Sequence, residues 1–286
     1  MAETLSPLNP SLEPYYDIVP TQRDVLADTW ISRGGNFVIA LSKVKAGAVL
    51  ARNDNPDEYM VLLHDVAATI EAGKETITAA ADTLTIVPPG ASKVVATGAG
   101  TIVRIFSVEA KDLVAVSHNA SHYAAGAPHV APLVSWPAPP DGYRLRHYVL
   151  SEYVKPGSNM RIFRSRNLMV NVLTCWEAPR DIHKLSPHSH EDFEQGSLAL
   201  AGNWVHHLRY PWTPDMSRWR DDEHAAIGSP SLTVIPPTVI HTSRNTDPNA
   251  ILVDVFAPPR EDFSNMSGMV RNEAEYPMPG KHNAAS

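Results

Sequence analysis

Residues 186–194 read "SPHSHEDFE" and set His188, His190 and Glu194 in the spacing HxHxxxE, while "PPTVIHTSRN", residues 236–245, adds His241 forty-seven positions after the glutamate. A lone HxH pair is more often a polar loop or a half-buried strand than a pair of ligands. A third and a fourth donor at sensible spacing turn the reading toward a metal site. On a β-strand alternate side chains share a face, so the spacing predicts that His188 and His190 point the same way and grip one ion. Glu194 would add an anionic oxygen and His241 a third imidazole. This mixed set of nitrogen and oxygen donors suits Fe, Mn, Zn, Ni or Co rather than an all-oxygen Ca or Mg cage. Soft thiolate ligation is disfavoured, because Cys175 is the single cysteine.

The chain carries 25 prolines, most of them in pairs or turn contexts such as "VPPGAS", "PAPPDG", "IPPTV" and "APPRED". Proline fixes φ and removes a donor, so this density argues for many short strands and tight turns rather than long helices. "NFVIALSKV", "TLTIVPP", "TIVRIFSV", "LMVNVLTCW", "SLTVIPP" and "AILVDVFAPP" carry β-branched and aromatic residues bounded by Gly, Pro or Asn. The chain reads as all-β with short helices, one helix-like window being "YDIVPTQRDVLADTW" near the start. With 286 residues a sizeable core needs no disulfide. The first residues lack a basic start and an apolar stretch, and no apolar run reaches membrane-spanning length, so a cytoplasmic location and no membrane partner are expected. A net charge of −7 without a Lys/Arg stripe argues against nucleic acid as a partner.

The second half repeats the first. "SRGGNFVIAL" from Ser32 matches "SRNLMVNVLT" from Ser165, "TLTIVPPGAS" matches "SLTVIPPTVI", and "TIVRIFSVEAKDL" matches "AILVDVFAPPREDF". This predicts an arm over 1–29, one β domain over 30–117, a linker over 118–147 that wraps the surface, a second β domain over 148–265 and a tail over 266–286. Placing Glu58 on Glu194 sets Arg52 and Asp54 where His188 and His190 stand, and Lys93 at the place of His241. Those three cannot hold a divalent cation, though they could form an internal ion-pair cluster. One metal per chain is therefore expected, in the C-terminal half.

These residues resemble the cupin superfamily, and the tandem arrangement resembles a bicupin. The family's first motif, G(x)5HxH(x)3,4E(x)6G, is matched by His188, His190 and Glu194, with Gly202 one residue late. The second, G(x)5PxG(x)2H(x)3N, is matched by Pro236, His241 and Asn245, with Thr238 in place of the turn glycine. The resemblance covers about residues 30 to 117 and 150 to 263. It implies two tandem antiparallel β-barrels of the jelly-roll kind, with the ion in the mouth of the second.

With four protein ligands, one or two positions remain on the ion for water, substrate or O2. Two reaction classes follow. The first, and the primary expectation, is an Fe(II) dioxygenase acting on a small aromatic or carboxylated compound. The second is a non-oxidative isomerase, lyase or decarboxylase using the same ligands. A small-molecule-binding cupin without turnover is a third reading. Fe(II) is the expected ion, with Mn, Zn, Ni or Co as alternatives. An insertion in "NWVHHLRYPWTPDMSRWRDDEH" supplies His206, Arg209, Trp212, Trp219 and Arg220. Arg209 is the candidate for a substrate anion and His206 for a base or a partner of a ligand, while a dimer contact would use the same Trp and Arg residues. His118, His122 and His129 are expected to be solvated.

Overall fold

The computed structural model describes residues 9–280. Its strands sort into two pairs of antiparallel sheets, one pair for each half of the chain. In the first half a seven-stranded sheet is built around Phe37–Val44, Tyr59–Leu63 and Gly100–Ser107, and a four-stranded sheet that includes Val49–Asn55 and Gly90–Ala96 closes the barrel. In the second half a six-stranded sheet around Met169–Val172, Gln195–Ala201 and Ile251–Phe256 faces a three-stranded sheet of Trp204–Arg209, Glu223–Ile227 and Ile240–Asn245.

The near-continuous apolar strands have a simple cause, which is that both faces of each large sheet are buried. Along Gly100–Ser107, Ile102 and Phe106 point into the first barrel, while Val103 and Ile105 point the other way. There they meet the outward face of the second barrel's large sheet, with Leu198, Leu232, Val253 and Val255 in the same core. The largest apolar core of the molecule thus lies between the two barrels, and period-2 alternation sends every second side chain into it.

The halves also exchange strands. Ser11–Glu13, ahead of the first barrel, pairs with Ser231–Ile235 of the second, with Ser11 opposite Val234. Arg146–Val149, ahead of the second barrel, pairs with Thr83–Val87 of the first, with Arg146 opposite Ile86. A matched pair of glutamates follows the same symmetry. Glu58 of the first barrel accepts from the Arg166 N–H at the second half's Ser-Arg turn and from Tyr276 Oη at 2.7 Å. Glu194 of the second barrel accepts from the Gly35 N–H at the first half's Ser-Arg turn and from Tyr123 Oη at 3.1 Å. A Cβ built on Gly34 would stand 2.9 Å from Glu194 Oε2 and 2.6 Å from the Phe37 ring, so this turn needs glycine for the carboxylate to dock.

Several expectations change here. The helix-like window near the start is a turn at Pro14–Ile18 followed by strands Gln22–Arg23 and Ala27–Arg33, because strand pairing with Phe37–Val44 outweighs a weak helical pattern. The segment after 118 is irregular but anchored, with Tyr123 and Trp136 buried, and His118 bonds Glu13 at 2.8 Å rather than only solvent. The segment after 266 buries Val270, Asn272 and Tyr276, while 1–8 of the arm and 281–286 of the tail fall outside the described residues. Arg52, Asp54 and Lys93 form no common cluster. Arg52 is bidentate to Asp112, Lys93 pairs with Glu71 on the outer face, and Asp54 is exposed. Among the described residues no helix is long and apolar enough to cross a membrane.

Burial raises the Glu58 carboxyl to about 7 despite its hydrogen bonds. Its folded value exceeds the unfolded one, so its contribution to stability is full below about 4.5 and is lost as pH rises through about 7. Urea midpoints at pH 5 and pH 8 are expected to fall more for the wild type than for Glu58→Gln; equal falls would remove Glu58 as the cause.

Candidate metal centre

His188 and His190 do not sit on a regular strand. His188 forms a two-way backbone bridge with His241, its N–H donating to the His241 carbonyl at 3.0 Å and its carbonyl accepting from the His241 N–H at 2.7 Å. The Thr238 N–H donates to the His190 carbonyl at 2.6 Å, and Thr238 takes a φ of 66°, the left-handed conformation that the motif glycine would adopt. Backbone pairing between the two motifs, rather than alternation along one strand, therefore converges the imidazoles. Their ligand atoms all lie within 4.8 Å of one another, so the three histidines form a group able to hold a metal ion.

The Glu194 carboxylate is not gathered with these imidazoles, and the side chain that lies beside them is Gln195, because the two residues are adjacent at the start of the Gln195–Ala201 strand and face opposite ways. Residues 196 and 198 turn toward the other barrel with Glu194, where Gly196 lies against the Phe37 ring and Leu198 enters the shared core. Gln195 shares the inward face with Ser197 and Ala199. Gln195 Oε1 lies 3.0 Å from His190 Nε2 and 3.3 Å from His241 Nε2. The amide is oriented by its other end, where Nε2 donates to Asp254 Oδ1 and to Ser197 Oγ, each at 3.0 Å.

The cluster offers a cation a bare imidazole lone pair and an amide oxygen. The His241 Nδ1–H donates to the Val239 carbonyl at 2.9 Å, which leaves Nε2 as a lone pair aimed at the lone pairs of Gln195 Oε1. The His188 Nδ1–H likewise donates to the Ser186 carbonyl. Burial pulls His190 down to about 4 and His241 to about 3, so both rings are neutral near pH 7; a neutral His190 can donate its Nε2–H to Gln195 Oε1, while the bare Nε2 of His241 faces that oxygen. Two donors each about 2.1 Å from an ion and at right angles lie about 3 Å apart, which is the spacing seen here.

The cluster opens onto a cavity of about 480 Å³ inside the second barrel. Asp254, Arg180 and Arg260 are its charged wall, with Phe256, Phe263 and Trp176 beside them. Burial pushes the Asp254 carboxyl up to about 6. Arg180 is braced by the Ser243 carbonyl at 2.7 Å and Ser186 Oγ at 2.8 Å. Arg260 lies 3.7 Å from the Phe263 ring centroid and pairs with Asp262.

The other predicted residues fall elsewhere. Arg209 points outward, two-thirds exposed, and its guanidinium is bidentate to Asp222, so it belongs to the far face of its strand and not to the cavity. His206 faces inward and is fully buried, with Nδ1 2.7 Å from Ser243 Oγ, whereas adjacent His207 faces outward against His224. Trp212 and Trp219 stack on one another at 4.3 Å on the outside. Sequence reading missed Gln195, Asp254, Arg180 and Arg260. Gly202 held the clue to the first, since it lies seven positions after residue 195, where the motif's closing glycine belongs if the ligand is Gln195.

No family model matches the chain, and no curated protein matches it. Solved structures do. Protein Ylba of E. coli superposes with a TM-score of 0.62 at 12% identity, covering 91% of this chain and 96% of its own. The oxalate decarboxylase of Lactobacillus farciminis gives 0.58 at 11%, covering 90% and 88%, and a variant of the Bacillus subtilis oxalate decarboxylase gives 0.58 at 12%, covering 90% and 78%. At such identities the likeness shows the fold, and that fold is all-β, built of cupin-type antiparallel barrels.

Because Glu194 and Gln195 face opposite ways, their variants should separate. Gln195→Ala is expected to weaken binding of a divalent transition metal roughly 10- to 100-fold, and His241→Ala at least as much. Glu194→Gln is expected to leave metal affinity unchanged while lowering the thermal midpoint. Calorimetric titration with Mn or Zn checks both; a loss of affinity in Glu194→Gln equal to that in Gln195→Ala would refute the assignment.

Proposed function

We propose that this chain is a metal-dependent enzyme acting on a small carboxylated compound by non-oxidative chemistry of the decarboxylase, lyase or isomerase kind, with His188, His190, His241 and Gln195 holding one divalent transition metal ion. The observation that carries the reading is Gln195 Oε1 at 3.0 and 3.3 Å from two imidazole nitrogens, held there by Asp254. Three imidazoles and an amide add no negative charge, so an ion in this set keeps its full double charge. When bound, such an ion supplies Lewis-acid polarisation of a substrate carbonyl or carboxylate oxygen.

The chain's own groups do the rest. Arg180, which has no acid partner among its hydrogen bonds, orients a carboxylate in the cavity, and Arg260, bidentate to Asp262, offers its remaining N–H groups beside it. Asp254 is the one carboxylate on the cavity wall among the described residues, and with a value near 6 it can hold or release a proton close to neutrality. The aromatic wall excludes water behind the reacting atoms. The neighbours named oxalate decarboxylase act, by that name, on a carboxylated compound, which supports the substrate class.

The Fe(II) dioxygenase reading is favoured by a different feature, the aromatic side chains of Trp176, Phe256 and Phe263, which suit a flat organic acid. Protein loaded separately with Mn, Zn and Fe(II) and offered a panel of small carboxylic acids distinguishes the readings. Product formation without O2 consumption is expected. Oxygen uptake matching product formation would establish the dioxygenase instead, and binding without turnover under every metal would leave a binding protein. Arg180→Met and Arg260→Met are each expected to raise KM about 10- to 100-fold, the loss of roughly 1.5–3 kcal/mol for a hydrogen bond to a charged group. Asp254→Asn is expected to lower kcat about 10²–10⁴-fold, as for loss of a general acid or base.

A further inference from the structure

The first barrel has an open cavity of its own at its mouth, about 280 Å³, between the Gln22–Arg23 and Ala27–Arg33 strands, the Val49–Asn55 strand and the short helix Lys111–Val116. Arg104 opens onto it from the Gly100–Ser107 strand. Strand register makes Arg104 the counterpart of Asp254. Arg104 stands opposite Val61, two places after Tyr59, and Asp254 stands opposite Ser197, two places after Gln195. Where the second barrel gathers imidazoles, an amide and a carboxylate, the first presents two guanidinium groups.

Arg104 is 6% exposed, and among the described residues no carboxylate or carbonyl meets it; its Nε is buried without a hydrogen-bond partner. Its neighbour is the Phe106 ring, 5.8 Å from the guanidinium carbon. Burial pulls Arg104 down to about 10, with Tyr59 opposing that pull and the nearby Arg52 charge adding to it. The remaining charges on the cavity wall are accounted for. Arg52 is neutralised by Asp112 through two hydrogen bonds at 2.6 and 2.9 Å, Arg23 pairs with Asp28, and the exposed Asp24 caps the Leu26 and Ala27 N–H groups at the rim. Arg104 is left without an acid at ion-pair distance among the described residues, and a buried charge that lacks a direct partner is costly.

We propose that this cavity is a second ligand site, a receptor for a small monocarboxylate that pairs with Arg104. The guanidinium fork matches one carboxylate in two parallel hydrogen bonds, and Arg104 has no acid partner of its own among the described residues. At about 30 Å³ for each water-sized group, the space admits a molecule of up to about nine non-hydrogen atoms. The site is separate from the imidazole cluster, since the core between the barrels lies behind the Gly100–Ser107 strand.

The test follows thermal unfolding of the full chain against sodium acetate, with sodium chloride keeping ionic strength constant, for wild type, R104M and H241A. A saturable rise of the midpoint in wild type and in H241A, weakened at least tenfold in R104M, is expected. Survival of the effect in H241A separates this site from the metal centre, so failure of either reading leaves the other standing. An equal acetate response in R104M, a response lost in H241A, or a response to sodium phosphate with none to acetate would overturn the proposal. Should R104M not fold, the Arg104 Nε–H resonance of the wild type decides the matter. A saturable shift with acetate supports the site, and an unmoved signal overturns it.

Discussion

Two neighbouring residues that must face opposite ways organise this molecule. Glu194 directly precedes, and Gln195 begins, one strand of a sheet buried on both sides, with the first turned toward the other barrel and the second into its own. Glu194 docks on the Gly35 N–H and Tyr123 and joins the halves, while Gln195 lies beside the imidazoles. A shift of one residue would bury a carboxylate among the histidines and leave the glycine turn without its anion.

That turn has its counterpart across the molecule, where Glu58 reaches the Arg166 N–H and Tyr276. The two glutamates, the two exchanged strands and the shared apolar core hold the barrels against one another. Large sheets that pack on both faces demand apolar residues at nearly every position, which is why strands such as "TIVRIFSV" and "AILVDVF" show little polar alternation. The polar residues that do interrupt these strands, Arg104 and Asp254, mark the two cavities.

The barrels thus share a scaffold and differ in the charge at equivalent places. In the second, burial keeps His190 and His241 neutral, and fixed hydrogen bonds on Nδ1 of His241 and Nε2 of Gln195 aim lone pairs at a common point. In the first, Arg52 and Arg104 line the cavity, and only one of them has an acid partner. A cation would relieve the opposed lone pairs in one barrel, and an anion would satisfy the unpaired guanidinium in the other.

Much of this was legible in residue order. Proline-bounded apolar runs and the internal repeat dictate β-rich halves, because short extended segments between rigid turns can bury their side chains only by pairing. The HxH pair with a distant histidine marked the three imidazoles. Local pattern could not choose between Glu194 and Gln195, since a carboxylate is the commoner ligand and the face each residue shows depends on where the strand begins. Gly202 carried the register, but only as a one-residue offset. Whether Arg209 or Arg180 and Arg260 line the cavity depends on which side of the sheet each strand presents. Packing of one barrel against the other decides that, and it brings together residues far apart along the chain.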